Sequence, residues 1–273
     1  MTRQITKDTI LCMSLASRPG NFGTRFHNFL YEALDLDYLY KAFTTDNLAA
    51  AIAGVRALRV RGCAISMPFK EDVIALVDEM MPSAAQIQSV NTIVNDNGYL
   101  KAYNTDYLAI ETLLKDYQVS NQLTFALQGS GGMAKAVAGA LHHLGFRQGV
   151  IVARNEQAGR KLAQLYDYQW AASADDCAAD LLVNATPLGM TGADAQVLAF
   201  SEARVDSAQV IFDVVASPSK TPLIELAKQR NKTIITGSEV FALQAVEQFA
   251  LYTGVRPELN LFEQAARYAR AAQ

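Results

Sequence analysis

Six residues near the middle of the chain, Gly129-Ser130-Gly131-Gly132-Met133-Ala134, constrain its fold more than any other feature. They match G-x-G-x-x-A in the context that this fingerprint needs. An apolar β-like run over 123–127 precedes them and a helical pattern over 132–144 follows. Gly129 permits the tight turn, Gly131 lets the backbone approach a pyrophosphate, and Ala134 is small enough for close helix–strand packing. The unpaired N–H groups of the helix N-terminus face the phosphates. Downstream, strands are expected at 149–153, Leu181–Asn184, Val210–Asp213 and Thr233–Thr236, with helices at 155–165 and Pro222–Gln229. Such a β-α-β series makes a mostly parallel sheet covered on both faces, a Rossmann dinucleotide-binding domain over about 106–237.

The 273 residues leave room for a second domain at about 150 residues per domain. Compact β-like runs at 9–15, Tyr38–Phe43 and 62–66 alternate with helical spacings: Phe26, Phe29, Leu30, Ala33 and Leu34, then Leu48, Ile52, Val55 and Leu58. Two further strands, 92–95 and Tyr99–Tyr103, flank Asp96-Asn97-Gly98, a strong hairpin signal, and are expected to pair antiparallel at a sheet edge. The tail, 238–252 and Leu259–Arg270, reads as two amphipathic helices separated by Gly254 and Pro257. The expected architecture is α/β: residues 1–105, completed by the helices of 238–273, form an α/β substrate domain, with a cleft between the two domains.

Composition narrows the function classes. With 24 Lys+Arg against 27 Asp+Glu, the net charge of −3 argues against broad electrostatic binding of nucleic acid or acidic membrane. No apolar run reaches the roughly 20 residues that span a bilayer. The first eight residues, Met1-Thr2-Arg3-Gln4-Ile5-Thr6-Lys7-Asp8, lack the apolar core of a signal peptide. Cys12, Cys63 and Cys177 are too widely spaced for a disulfide framework, and no His/Cys/Asp/Glu spacing fits a metal. His142 and His143 read as surface residues and His27 as a helix packing residue. A cytoplasmic protein acting on a small molecule is expected.

The second strand of the glycine-turn unit ends in Arg154-Asn155, 25 positions beyond Gly129, with no acidic residue to hold a ribose 2′-hydroxyl. A guanidinium there pairs with a 2′-phosphate, which favours NADP over NAD. In Ser66-Met67-Pro68-Phe69-Lys70-Glu71 a strand ends and Pro68 opens a helix. Lys70 then falls in the first turn, where the helix dipole disfavours an ammonium, so the placement hints at function. In Asn104-Thr105-Asp106, Asp106 reads as an N-cap. Spacing alone does not join Lys70 to Asp106.

Taken together, the motifs resemble the shikimate dehydrogenase family along nearly the whole chain. Gly62 to Glu71 is similar to its G-x-N-V-T-x-P-x-K segment, Ser89-Val90-Asn91-Thr92 to G-A-x-N-T, and Tyr103-Asn104-Thr105-Asp106 to G-x-N-T-D. Asn184-Ala185-Thr186-Pro187-Leu188-Gly189-Met190 nearly repeats N-x-T-P-x-G-M, while Thr221-Pro222-Leu223, Gly237 and Gln244 also match. The resemblance implies reversible hydride transfer between NADP(H) and a ring hydroxyl or ketone of a shikimate-like acid. It makes Lys70 and Asp106 the catalytic pair, and gives Asn21, Ser66, Asn91, Thr105 and Gln244 to the substrate. The cofactor receives residues 129–134 together with Arg154, Asn155, Thr186, Val214 and Gly237.

Two parts of the chain depart from the family's pattern. Its S-x-S-P-x-x-H-N loop has become Asn21, Gly23 and Thr24 before His27-Asn28, and the Tyr of D-x-x-Y-x-P is Ala216. Val240 also replaces a common Met. A divergent branch is therefore expected. An NAD-dependent quinate/shikimate dehydrogenase is the nearest alternative, and a catalytically weak nucleotide-binding regulator is the alternative from another class.

Overall fold

The computed structural model describes residues 4–271, so Met1, Thr2 and Arg3 of the N-terminal segment, and the last two residues of the tail, lie outside the described residues. The chain is α/β and divides into two compact units, Met1–Thr105 with Ala242–Gln273, and Asp106–Phe241. It crosses between them at the start of one helix and within another. No helix of the described residues is long and apolar enough to cross a membrane.

The first unit holds strands β1 (Ile10–Leu15), β2 (Tyr38–Phe43), β3 (Gly62–Ile65), β4 (Glu79–Met80), β5 (Thr92–Asp96) and β6 (Tyr99–Tyr103). They form one mixed sheet in the order β2-β1-β3-β5-β6-β4. Helices α1 (Phe22–Ala33), α2 (Leu48–Ala57) and the short α3 (Pro82–Ala85) follow the early strands. Period-2 alternation sends Cys12 to one face and Met13 and Cys63 to the other. On the first face Phe26, Leu30 and Tyr31 of α1 meet Phe249 and Tyr252 of α9 (Gly237–Thr253) and Ala265 and Ala269 of α10 (Leu259–Arg270). The fit is close: a Cβ on Gly62 would lie 2.2 Å from the Tyr252 ring. Ile52 and Val55 of α2 cover the opposite face.

Three sequence expectations change here. The β5–β6 hairpin pairs antiparallel with a two-residue Asn97-Gly98 turn, but it is not at the edge. Glu79 and Met80 pair parallel with Lys101 and Ala102, and a two-residue strand carries no periodicity to announce it. Pro68 opens no helix, and the 3-10 turn begins only at Asp72. The Lys70 carbonyl, which in a helix opened by Pro68 would accept from Ile74 N–H, instead accepts from Val90 N–H at 2.8 Å. Asp106 is not an N-cap but the second residue of α4 (Thr105–Asp116), and Asn104, just ahead of the helix, donates to Ser83 Oγ and the Ser89 carbonyl.

The second unit carries β7 (Phe125–Gln128), α5 (Gly132–His143), β8 (Gly149–Val152), α6 (Glu156–Leu165) and β9 (Gln169–Ala171). Beyond these come β10 (Leu181–Asn184), α7 (Glu202–Ser207), β11 (Val210–Asp213), α8 (Pro222–Gln229) and β12 (Thr233–Thr236). All six strands are parallel in the order β12-β11-β10-β7-β8-β9. Phe125, Leu127, Leu181 and Phe212 are fully buried, as continuous apolar strands of a doubly covered sheet must be. The structural class is the Rossmann fold, with its switch point between β7 and β10.

Candidate active site

In the second unit, parallel register fixes the site. Gln128 pairs with Val152 on one side and Asn184 on the other, Asn184 with Asp213, and Asp213 with Thr236. Each is the last residue of its strand, so five loops start from one level at the carboxyl edge. Every residue that the sequence assigns to a dinucleotide sits in these loops or opens the helix behind one.

The glycine turn has the geometry its letters require. Gly129 has φ +127°, and a Cβ there would lie 2.8 Å from the Ala185 carbonyl oxygen. Gly131, the N-cap of α5, provides no side chain to the first N–H groups. A Cβ on Gly131 would meet no protein atom within 4 Å, so packing within the protein does not demand glycine there. An open face over uncapped amides fits a pyrophosphate. Buried Ala134 seats α5 against the strand.

At the end of β8, Arg154 is exposed. Its neighbour Ala153 is held by the Trp170 indole N–H, which donates to the Ala153 carbonyl at 3.3 Å. Arg160 lies over the Trp170 ring at 4.2 Å. The Asn155 Oδ1 is occupied in accepting from Ala158 N–H, capping α6. On the other side of the switch point, Thr186 donates its backbone N–H and its hydroxyl to Asn184 Oδ1, at 3.0 and 2.6 Å. Val214 leaves β11 beside the start of α9, where a Cβ on Gly237 would lie 2.2 Å from the Val214 carbonyl oxygen.

In the first unit, three of the five residues assigned to the substrate meet in a buried polar cluster. The Asn91 Oδ1 accepts from Thr105 N–H at 2.8 Å and from the Thr92 hydroxyl at 2.9 Å. The Thr105 hydroxyl lies 3.2 Å from the same oxygen and 3.3 Å from Gln244 Oε1. The carbonyl oxygens of the two amides thus both face the Thr105 hydroxyl, which ties the loop before β5 to α9. Gln248 donates to the Thr92 hydroxyl at 3.0 Å. The sequence reading missed Thr92 and Gln248. The second had a signal: it follows Gln244 by four positions, on the same face of a helix.

The other two are exposed rather than buried with this cluster. Asn21 is exposed at the N-terminus of α1, and its side chain makes no capping hydrogen bond. Ser66 is exposed just beyond β3, where its N–H donates to Leu15 O at 2.9 Å. Lys70 is half-buried, and its carbonyl, bonded to Val90 N–H, fixes it beside the segment that carries Asn91. Asp106 is buried in the first turn of α4, next to Thr105.

Buried next to the polar cluster, His27 lies in the aromatic core of the first unit. Its ring stacks on Tyr40 at 4.4 Å, and both ring nitrogens lack a hydrogen-bond partner. Burial pulls its pKa down to about 3, with the Gln248 side chain opposing the shift. It therefore stays neutral and serves as packing.

Comparisons with known proteins identify the family. Residues 22–93 match the shikimate dehydrogenase substrate binding domain. The chain is 54% identical over 267 residues to a shikimate dehydrogenase-like protein of Haemophilus influenzae, covering 97% of this chain and 98% of that one. The solved structure of a shikimate 5-dehydrogenase-like protein superposes with a TM-score of 0.95 at 53% identity, covering 98% of this chain and 100% of the other. A shikimate 5-dehydrogenase of Thermus thermophilus, solved in complex with NADP(H) and shikimate, gives 0.85 at 28% identity over 95% and 99%. With its Rossmann unit, its substrate-domain match and a relative this similar over nearly the full length, the chain belongs to the shikimate dehydrogenase family.

Proposed function

We propose that the protein catalyses reversible hydride transfer between NADP(H) and a ring hydroxyl or ketone of shikimate or a close analogue. The observation that carries this reading is the row of strand ends in the second unit, where an uncapped helix N-terminus, Arg154, Thr186 and Val214 follow one another along a single edge. The complex of the Thermus thermophilus relative with NADP(H) and shikimate supports the choice of both partners.

The dinucleotide, when bound, supplies the hydride acceptor or donor. The amides of 131–134 hold its pyrophosphate, Arg154 its 2′-phosphate, and Thr186, Val214 and Gly237 border its other half. Asn91 and Gln244 hold ring hydroxyls, with Thr105 bracing both, and Ser66 and Asn21 flank the acid. An alcohol proton is too weakly acidic to leave unaided, so a positioned acceptor contributes about 10²–10⁴-fold. Lys70 takes that proton in oxidation and returns it in reduction. Asp106 orients Lys70 and holds the reacting hydroxyl.

The pocket departures set the substrate preference. Ala216 removes an aromatic wall and a hydroxyl donor, and a lost hydrogen bond costs about 0.5–1.5 kcal/mol before the missing area is added. Shikimate should turn over more slowly than in family members that carry the tyrosine, with tolerance for bulkier ring acids. A panel of shikimate, quinate and related acids, assayed for reduction of NADP and of NAD, tests this. Activity with NADP on at least one acid is expected, and no turnover with any acid and either cofactor overturns the reading.

A further inference from the structure

One buried carboxylate has no part in the assignments above. Asp213 is the last residue of β11, has no exposed surface, and faces Asn184, the last residue of β10. Its Oδ1 accepts from Asn184 Nδ2 at 3.0 Å and from Val215 N–H at 3.1 Å, while its Oδ2 accepts from the Thr221 hydroxyl at 2.5 Å. Burial pushes its pKa up and the three donors pull it back. All three partners donate, which suits an ionised, acceptor-only group. A buried carboxylate is costly unless each oxygen is matched, so its presence at a loop junction asks for a reason beyond chain reversal.

The bonds lead outward to two loops. Asn184, oriented by Asp213, holds Thr186 through its Oδ1 and donates to the Leu188 carbonyl at 3.1 Å, so one amide shapes the loop after β10. Val215 N–H fixes the loop after β11, and Thr221 caps α8 by accepting from Ile224 N–H at 3.2 Å. The Ala185 and Val214 carbonyls in turn lie against Gly129 and Gly237. Both loops leave the sheet on the side of the switch point opposite Arg154. In a fold built from two mononucleotide-binding halves, that side takes the nicotinamide half.

We infer that Asp213 is a positioning residue: through Asn184, Val215 and Thr221 its carboxylate sets the two loops that receive the nicotinamide half of the dinucleotide, without touching the cofactor. The inference rests on the proposed dinucleotide function. It predicts a loss confined to one half of the ligand. Asp213→Asn can keep its oxygen toward the two N–H donors, but the Thr221 hydroxyl then loses its charged acceptor and must accept from the new NH₂, so that link is weakened and the hydroxyl turned. Titrations with NADPH and with 2′-phospho-ADP-ribose, which lacks nicotinamide, separate the halves.

Asp213→Asn should weaken NADPH about tenfold while holding 2′-phospho-ADP-ribose within about twofold, and kcat should fall about 10²-fold through misplacement of the reacting ring. Thr221→Val should repeat the split, and Thr221→Ser should recover NADPH binding relative to Thr221→Val. Should Asp213→Asn not yield folded protein by calorimetry, the Thr221 pair carries the same comparison. Equal losses for the two ligands, or no loss for either, overturn the inference while leaving the functional reading intact. Wild-type protein that binds neither NADPH nor NADH overturns that reading, and the inference with it.

Discussion

A lysine and an aspartate that serve one proton produce different lesions when each is removed. Lys70→Ala should lower kcat by about 10²–10⁴-fold with KM for the acid nearly unchanged, since the loss falls mainly in the transition state. Asp106→Ala should lower kcat and raise KM together, because the carboxylate also holds the reacting hydroxyl. Steady-state kinetics on both variants decide it, and a Lys70→Ala enzyme with near-normal kcat assigns the proton to another group. Arg154 makes a separate prediction. Its planar fork suits a 2′-phosphate, so Arg154→Ala should raise KM for NADP about tenfold and leave KM for NAD near its starting value. Equal effects on the two cofactors would remove Arg154 from the specificity account.

His27 yields a residue-level prediction about stability. The folded protein holds it neutral, with its pKa lowered to about 3, while the unfolded chain takes up a proton near pH 6.5. The unfolded state therefore binds more protons between those values, and stability falls as pH drops, by about 1.4 kcal/mol per pH unit. No penalty applies above pH 6.5. From pH 7.5 to pH 5 the wild type should lose about 2 kcal/mol that His27→Phe does not lose. At pH 7.5 the Phe variant should lie close to the wild type, since the ring packing is kept and at most a weak contact with Gln248 is lost. Denaturant melts at the two pH values measure both effects. His142, whose pKa is also lowered, contributes with the same sign in both proteins, so the difference isolates His27.

At the scale of elements, β3 and α9 approach closely at Gly62 and Tyr252. Gly62→Ala would place a methyl inside van der Waals reach of a fully buried aromatic ring, and such overpacking costs about 1–3 kcal/mol. A fall in Tm with kcat retained is the expected result, and an unchanged Tm would show that Tyr252 has room to move. The same scale explains what the sequence could disclose. The ends of β10, β11, β12 and α8 were legible because turn residues or capping residues bracket continuous apolar runs. Two-residue β4, three-residue β9 and short α7 fall below the length at which periodicity carries information. The failure at Pro68 has another cause: Val90 takes the carbonyl that a helix would have needed, and a distant hydrogen bond leaves no local trace. In the cofactor half of the candidate site, glycines and caps act locally and were readable. The Asn91–Thr105–Gln244 cluster joins segments up to 153 positions apart, and only resemblance to a family pointed to it.

For the whole molecule, the first unit is discontinuous in sequence. Residues 4–105 supply its sheet, yet Phe26, Leu30 and Tyr31 of α1 are covered by side chains from α9 and α10. The second unit, by contrast, is one uninterrupted stretch with its own apolar core. On a ribosome, which delivers about 5–20 residues per second, the middle of this chain has all its partners before the beginning does. The nascent α1 face must wait through some 210 further residues, from Ala33 to Ala242, for its covering helices, an interval of about 10–40 seconds. During that interval it is a target for chaperones and for self-association. Order of synthesis therefore runs against order of completion: the nucleotide unit matures first, and the residues made earliest are the last to find shelter.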